Sequence, residues 1–208
     1  MPAARPRPER LPAAARRAQL VEVGRRLFAE RGYEATSVEE IAERAKVSKP
    51  IVYEHFGGKE GLYAVVVDRE IEHIVASIEQ AVSTGTPRAR LDGAALAFMT
   101  YVKERPEGFA VLLRDAPPSK RGGEMSALMY DLADRVGGIF AEIFRTAGYD
   151  AKAAPIYAHA LVGMVAFVGQ WWTEARKAPP AEVVASHIAA LAWMGLRHLP
   201  RKPAALVR

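Results

Sequence analysis

The chain has 208 residues, a hydrophobic content of 50% and a formal net charge of +5 at pH 7. Its length and apolar content suffice for a buried core in one large or two small domains, and the absence of cysteine excludes disulfides and thiolate metal sites. The sequence has no export signal and no uniformly apolar segment of membrane-spanning length, so we expect a cytoplasmic protein without a membrane partner.

Positive charge is concentrated at the start of the chain. Residues 1–31 hold eight arginines and three glutamates, so they carry the whole net charge, and residues 32–208 are neutral as a group. We predict a flexible basic arm over residues 1–12, which contain four prolines, and a first helix over residues 13–31. Cations concentrated beside a folded domain are typical of proteins that bind a phosphate backbone.

Two very short helices joined by a tight turn are predicted next. Thr36 or Ser37 caps the first of these helices, which ends near Ala45. Ser48 caps the second, which runs to about His55. This arrangement has the form of a helix-turn-helix, in which the second helix lies against DNA.

The residues of the second short helix divide between two faces. Val52 and Phe56 are spaced to pack inward, which leaves Lys49, Pro50 and Tyr53 on the opposite side. Two capped helices also occur in proteins that never bind nucleic acid, so a helical interaction module without DNA binding is the alternative. The arginine-rich segment beside them favours the DNA-binding interpretation.

The stretch LFAERGYEATSVEEIAERAKVSKPIVYEHFGGKEGLY, residues 27–63, resembles the DNA-binding domain of the tetracycline-repressor (TetR) family of bacterial regulators. The resemblance implies that Arg-Gly-Tyr at residues 31–33 ends the first helix and that Tyr53 and His55 face phosphates. It also implies that Lys59 begins a fourth helix that touches the DNA backbone. The DNA-binding residues are therefore expected to be Thr36, Ser37, Ser48, Lys49, Pro50, Ile51, Tyr53, His55 and Lys59.

Two positions depart from the usual pattern of that family. Lys46 stands where glycine is common, so a left-handed backbone at this turn would cost about 1 kcal/mol. Gly57 and Gly58 stand where serine or aspartate often caps the next helix, and glycine is an acceptable, weaker cap.

The rest of the chain is predicted to be helical, which gives an all-α fold of about nine helices. We expect a helix-turn-helix domain over residues 13–58 and a ligand-binding and dimerisation domain over residues 59–208. Apolar periodicity and proline or glycine breaks place the later helices. Their predicted ranges are 59–82, 88–105, 106–114, 124–147, 152–176 and 180–198.

The helix predicted over residues 152–176 is apolar around nearly its whole circumference, so it must be covered on all sides. The simplest cover is a second copy of the chain, in which this helix and the last one form a four-helix interface around a twofold axis. A helix buried inside one protomer is the alternative, and the family resemblance favours the dimer.

The resemblance further implies that helices four to eight enclose a small-molecule cavity, although a packed core is the default interpretation of each aromatic or methionine side chain. His159, Gln170, Thr100 and Ser126 are the polar groups available to orient a head group. The segment LVGMVAFVGQWW is similar to acyl-sensing members of the family. The expected ligand-binding residues are Phe98, Phe109, Leu113, Met129, Phe140, Phe144, Tyr157, Met164, Phe167 and Trp171.

Motifs of catalysis are absent from the sequence. It has no Gly-x-Ser-x-Gly elbow, His-Glu-x-x-His helix or Walker loop, and its five histidines show no spacing typical of metal ligands. We therefore expect no cofactor or metal and predict a homodimeric, ligand-responsive transcriptional regulator. A repressor released from a palindromic operator by a small apolar effector is favoured, and an activator or an acyl-lipid-sensing regulator of the same fold is the alternative.

Overall fold

The computed structural model describes residues 12–113 and 127–199. Every regular element in these ranges is helical, which confirms the predicted all-α class of about nine helices. The predicted arm up to residue 11 and Ser126 lie outside the described residues. The elements are α1 (Ala13–Ala35), α2 (Val38–Arg44), α3 (Lys49–Phe56), α4 (Lys59–Val82), α5 (Pro87–Glu104), α6 (Pro106–Leu113), α7 (Ala127–Ala147), a short 3₁₀ turn (Ala151–Ala153), α8 (Ala154–Glu174) and α9 (Ala181–Leu196).

The end of α1 is interrupted where the sequence predicts it. Gly32 has φ 80° and ψ 172°, a conformation that L residues rarely adopt, so the regular helix ends at Arg31. The three residues from Tyr33 to Ala35 form a separate short turn. The predicted limits of the other helices agree with the structure to within a few residues.

The chain forms two compact units, one up to Val66 and the other from Val67 onward. The division falls inside α4, so the first two turns of this helix belong to the first unit and the remainder to the second. We expected the boundary between residues 58 and 59, at the start of α4, whereas the compact units divide about two turns later in that helix.

In the second unit, α8 packs along α7 and α9 packs along α5, with α6 beside α5 and α7. A buried ion pair joins α4 to the corner between α5 and α6. Glu70 on α4 is 1% exposed, and its carboxylate accepts hydrogen bonds from Arg105 Nε (2.9 Å), Arg105 Nη2 (2.6 Å) and the Tyr101 hydroxyl (3.2 Å). Gly108 leaves space for it, because a Cβ atom there would lie 2.2 Å from Glu70 Oε2.

Small residues form the buried face of α8, namely Ala154, Ala158, Val162, Ala166 and Gly169. Bulky apolar residues on the same helix are exposed, with Phe167 at 77% and Ile156 at 69%. The segment Ala151–Glu174 is also long and apolar enough to cross a membrane by length and composition alone. The expectation that no segment is apolar enough to span a membrane is therefore wrong, because α8 carries apolar residues on its exposed face as well as on its buried face.

Candidate nucleic-acid interface and ligand cavity

The first unit holds α3 on a small apolar core. Leu20 and Leu27 of α1, Ile41 of α2, Val52 of α3 and Leu62 of α4 are all at most 1% exposed. Burial of such side chains contributes about 1.5 to 3 kcal/mol each. One side of α3 is thereby fixed to the core, and its opposite side remains in solvent.

The turn between α2 and α3 contains a lysine in a left-handed conformation. The Val47 amide donates to the Ala42 carbonyl (2.9 Å) and the Lys46 amide donates to the Glu43 carbonyl (3.0 Å). This pair of bonds ends a helix through one left-handed residue, usually glycine. Lys46 occupies that position with φ 54°, so the expected backbone strain of about 1 kcal/mol applies here.

The outward face of α3 is the one that the sequence predicts. Lys49, Pro50 and Tyr53 are exposed, with Tyr53 at 54%, and Ile51 is half-buried. Ser48 is the residue that precedes the helix, but its side chain makes no capping hydrogen bond, so the capping role predicted for its hydroxyl is wrong. Pro50 in the first turn reduces the number of amides that need a cap.

Ser37 and Thr36 differ in what they offer to a ligand. The exposed Ser37 hydroxyl accepts a hydrogen bond from the Glu40 amide (3.2 Å), so the predicted cap of α2 is present. Thr36 is 2% exposed, and its hydroxyl donates to the Gly32 carbonyl at 2.7 Å. Because that hydroxyl is buried and already bonded, Thr36 holds the end of α1 and does not present its side chain to DNA, contrary to our expectation.

The two lysines expected to contact DNA both have partners within the protein. Lys49 forms an ion pair with Glu39 on α2, and the ammonium group lowers the pKa of the Glu39 carboxyl. Lys59 Nζ donates to the Tyr33 carbonyl (2.9 Å) and lies 4.2 Å from the centre of the Tyr33 ring. An exposed ion pair such as that of Lys49 is weak and screened by salt, so a phosphate can replace Glu39.

His55 is half-buried and lies near the end of α3. Its backbone carbonyl accepts a hydrogen bond from Arg17 Nη1 at 2.5 Å. The same guanidinium lies 4.3 Å from the centre of the Phe56 ring. Arg17 therefore ties α1 to the C-terminal end of α3, a contact that the sequence analysis did not identify.

Net positive charge in the first unit is carried by α1 and the segment before it. Residues 32–66 contain four lysines or arginines and six glutamates. On α1, burial raises the pKa of the Glu22 carboxyl, but hydrogen bonds and charge from Arg25 and Arg26 outweigh it and hold the pKa below its usual value. The electrostatic attraction for a phosphate backbone thus depends on which cations are left without an internal partner.

The second unit contains an open cavity of about 470 Å³ between the end of α6, α7 and α8. That volume lies within the usual range for small-molecule sites. His159 Nδ1 is hydrogen-bonded with the Pro155 carbonyl (2.8 Å), and the ring lies beside that of Tyr130. The lining residues are Leu113, Met129, Tyr130, Ala133, His159, Val162, Gly163, Ala166, Phe167 and Gln170.

Three of the expected ligand-binding residues, Leu113, Met129 and Phe167, line this cavity, together with His159 and Gln170 from the expected polar set. The other cavity residues were not predicted, because most are small and carry no sequence signal. Thr100 is half-buried and outside the lining.

The remaining expected ligand-binding residues lie elsewhere. Phe98 and Phe109 form an edge-to-face pair in the core, 5.9 Å between ring centres, and pack against Gly169. Phe144 contacts the rings of Phe140 and Tyr157 in a second aromatic cluster. Trp171 is 52% exposed and Met164 is half-buried, and neither is in the lining.

The sequence matches two family descriptions that together cover most of the chain. Residues 20–66 match "Bacterial regulatory proteins, tetR family" and residues 77–205 match "Tetracyclin repressor-like, C-terminal domain". The chain is 30% identical to the HTH-type transcriptional activator FasR of Mycolicibacterium smegmatis over 93% of its own length and 89% of that protein. It is also 30% identical to the HTH-type transcriptional repressor KstR2 of the same organism, over 44% of its own length and 45% of that protein.

The fold is also found among solved structures. A TetR-like transcriptional regulator from Rhodococcus sp. RHA1 superposes with a TM-score of 0.71 at 28% sequence identity. The match covers 91% of this chain and 100% of that one. The similarity therefore extends over both units and includes the helix-turn-helix.

Proposed function

The chain belongs to the TetR family of bacterial DNA-binding transcriptional regulators, and we propose that it acts as a homodimer whose binding to a palindromic operator is controlled by a small apolar effector. The observation that carries the proposal is the outward face of α3, where Lys49, Pro50 and Tyr53 are exposed while Val52 anchors the helix. A helix held in this way presents one face to the major groove.

Separate roles follow for the residues of that face. Lys49 and Tyr53 contact phosphates, which fixes position without reading sequence. Pro50 and the half-buried Ile51 lie against thymine methyl groups, so substitution there alters sequence preference. Ser37, Ser48, His55 and Lys59 are further contacts at the edge of the interface, and Lys59 must exchange its bond to Tyr33 for one to DNA.

The proposed dimer buries the exposed apolar faces of α8 and α9. Phe167 (77%), Trp171 (52%), Leu191 (66%) and Met194 (58%) are much more exposed than is usual for large apolar side chains. A second copy of the chain covers these faces in a twofold interface. This cover also explains a membrane-like composition in α8, so we propose a cytoplasmic location with no membrane partner.

The proposed effector is an elongated apolar molecule with one polar end. Leu113, Met129 and Val162 provide an apolar wall, whereas His159 and Gln170 provide hydrogen-bonding groups. A molecule that fits the cavity in only one dimer shape shifts the population toward that shape. A coupling of about 1 to 3 kcal/mol is enough to alter operator occupancy substantially.

We propose repression, relieved by the effector, as the mode of regulation. The relative that aligns over 93% of this chain is named an activator, so activation is the second candidate. The relative that is named a repressor aligns over 44% of this chain. Transcription in vitro from a promoter carrying the operator distinguishes the two, because a repressor lowers the transcript level and an activator raises it.

The effector proposal is tested with operator DNA and straight-chain carboxylic acids of increasing length. Leu113→Ala removes an apolar side chain from the wall of the cavity and is expected to change the ligand concentration that releases DNA. Leu91→Ala is the matched control, since Leu91 is likewise half-buried but lies on α5, outside the lining and outside the faces assigned to the dimer. Equal responses of wild type and Leu113→Ala, with the control also unchanged, would contradict the placement of the effector.

A further inference from the structure

Lys46 combines an unfavourable backbone with a charged side chain in solvent. It is exposed, its φ is 54°, and it ends α2 in a position that glycine usually occupies. At the end of α3 the corresponding left-handed position is occupied by glycine, Gly57, with φ 72°. If the lysine side chain contributed nothing, glycine at residue 46 would relieve the backbone strain in the same way.

The other cations near α3 are engaged inside the protein. Arg44 pairs with Glu30, Lys49 pairs with Glu39, and Lys59 is bonded to the Tyr33 carbonyl. Among residues 32–66, all of which the structure describes, Lys46 is the one lysine or arginine whose side chain has no hydrogen bond or ion pair. Its ammonium group therefore needs no exchange of partner in order to bind an anion.

The position of Lys46 brings that group close to the proposed DNA contacts. Lys49 follows Lys46 by three positions in the chain, so their Cα atoms are at most about 11 Å apart. Lys46 stands two residues before Ser48, the exposed residue that precedes α3. A helix that lies in the major groove places this turn beside the phosphate backbone that borders the groove.

We propose that Lys46 binds a backbone phosphate next to the recognition helix, so that the strained lysine serves DNA affinity at the expense of stability. The inference rests on the proposed function of α3 and adds a contact that the sequence analysis did not include. Because a phosphate carries no base identity, the contact strengthens binding to all DNA sequences alike.

Replacing the lysine is expected to move stability and DNA affinity in opposite directions. Lys46→Gly relieves the backbone, so the melting temperature Tm rises by about 1 to 4 °C. The same variant binds DNA more weakly, and the slope of log affinity against log salt decreases by about 0.9 per contact, or roughly 2 per dimer. A merely structural residue would not change that slope.

Two further variants separate charge from backbone. Lys46→Asn tolerates a left-handed conformation without the charge and is expected to match the reduced slope of Lys46→Gly. Lys46→Arg keeps the charge and is expected to keep the wild-type slope. Lys177→Ala removes an exposed cation of the second unit and serves as the control for overall charge, with an unchanged slope.

The measurements are titrations of a fluorescent duplex at several salt concentrations, with the full chain in every case. An unchanged slope in Lys46→Gly and Lys46→Asn, while Lys49→Ala lowers it, would overturn this inference and leave the proposed function standing. A wild-type protein that binds duplex DNA without salt dependence would instead overturn the proposed function. A lower Tm with an unchanged slope would identify Lys46 as a purely structural residue.

Discussion

Removal of Arg105 tests how strongly the buried ion pair holds the second unit together. The side chain of Glu70 is 2% exposed and that of Arg105 is 34% exposed. In Arg105→Ala the buried carboxylate keeps only the Tyr101 hydroxyl among its described partners at 3.2 Å. Breaking a buried pair from one side costs about 3 to 5 kcal/mol, and the partial exposure of Arg105 favours the lower end.

That loss is large beside a typical unfolding free energy of about 5 to 15 kcal/mol. Urea denaturation followed by tryptophan fluorescence reports the unfolding of the second compact unit, which contains Arg105, because all three tryptophans lie beyond residue 66. With an m-value of about 1 to 3 kcal/mol/M, the midpoint should fall by about 1 M or more. Protein concentration must be held constant, since dimerisation contributes to stability.

Two comparisons make this prediction specific. Lys103→Ala removes a lysine whose exposed ion pair with Glu182 spans 3.5 Å, and we expect little change. The double variant Glu70→Leu with Arg105→Met leaves no buried charge and is expected to recover most of the loss. A midpoint for Arg105→Ala equal to that of wild type would refute the argument, because it would show that water or another group already satisfies the carboxylate.

Three other changes have expected outcomes that follow from the structure. Glu39→Gln frees Lys49 from its internal partner, so DNA affinity at low salt should rise in a duplex titration; a decrease would indicate that the pair positions Lys49 for binding. Leu191→Glu places a charge on the exposed face of α9 and should yield a monomer of normal helicity in sedimentation, whereas an intact dimer would exclude this face. Because the pKa of Glu22 is lower in the folded chain, this carboxylate contributes stability above its unfolded pKa that is lost as pH falls through the folded pKa. In Glu22→Gln the unfolding free energy should therefore depend less on pH below about pH 4.5, and parallel pH profiles of the two proteins would contradict this.

The sequence predicted the elements that depend on local signals. Caps, glycine and proline placed the ends of α1 to α6 to within a few residues, and the conditional strain at Lys46 agrees with its φ of 54°. These features are determined by residues adjacent in the chain. Apolar spacing likewise identified the inward and outward faces of α3.

Features that depend on packing between distant segments were not predictable in this way. The sequence did not distinguish the face of α8 that packs within the protomer from its other faces: close approach to α7 selects small residues such as Ala158, and Phe167 is exposed at the cavity. Thr36 resembled a surface cap, yet its hydroxyl bonds to the Gly32 carbonyl and is buried. The partner of Glu70 lies 35 residues away in sequence, and no local pattern marks it.

The most direct test of the regulator's proposed mode of action is selection of preferred DNA from a random duplex pool, followed by footprinting and measurement of stoichiometry on the selected sequence. A twofold dimer requires an inverted repeat whose half-sites are separated by about one helical turn, or a multiple of it, with two protomers bound at each repeat. Binding should weaken steeply and linearly on a logarithmic salt scale. A direct repeat, or a single protomer bound to a single half-site at micromolar concentration, would contradict the proposed dimeric regulator.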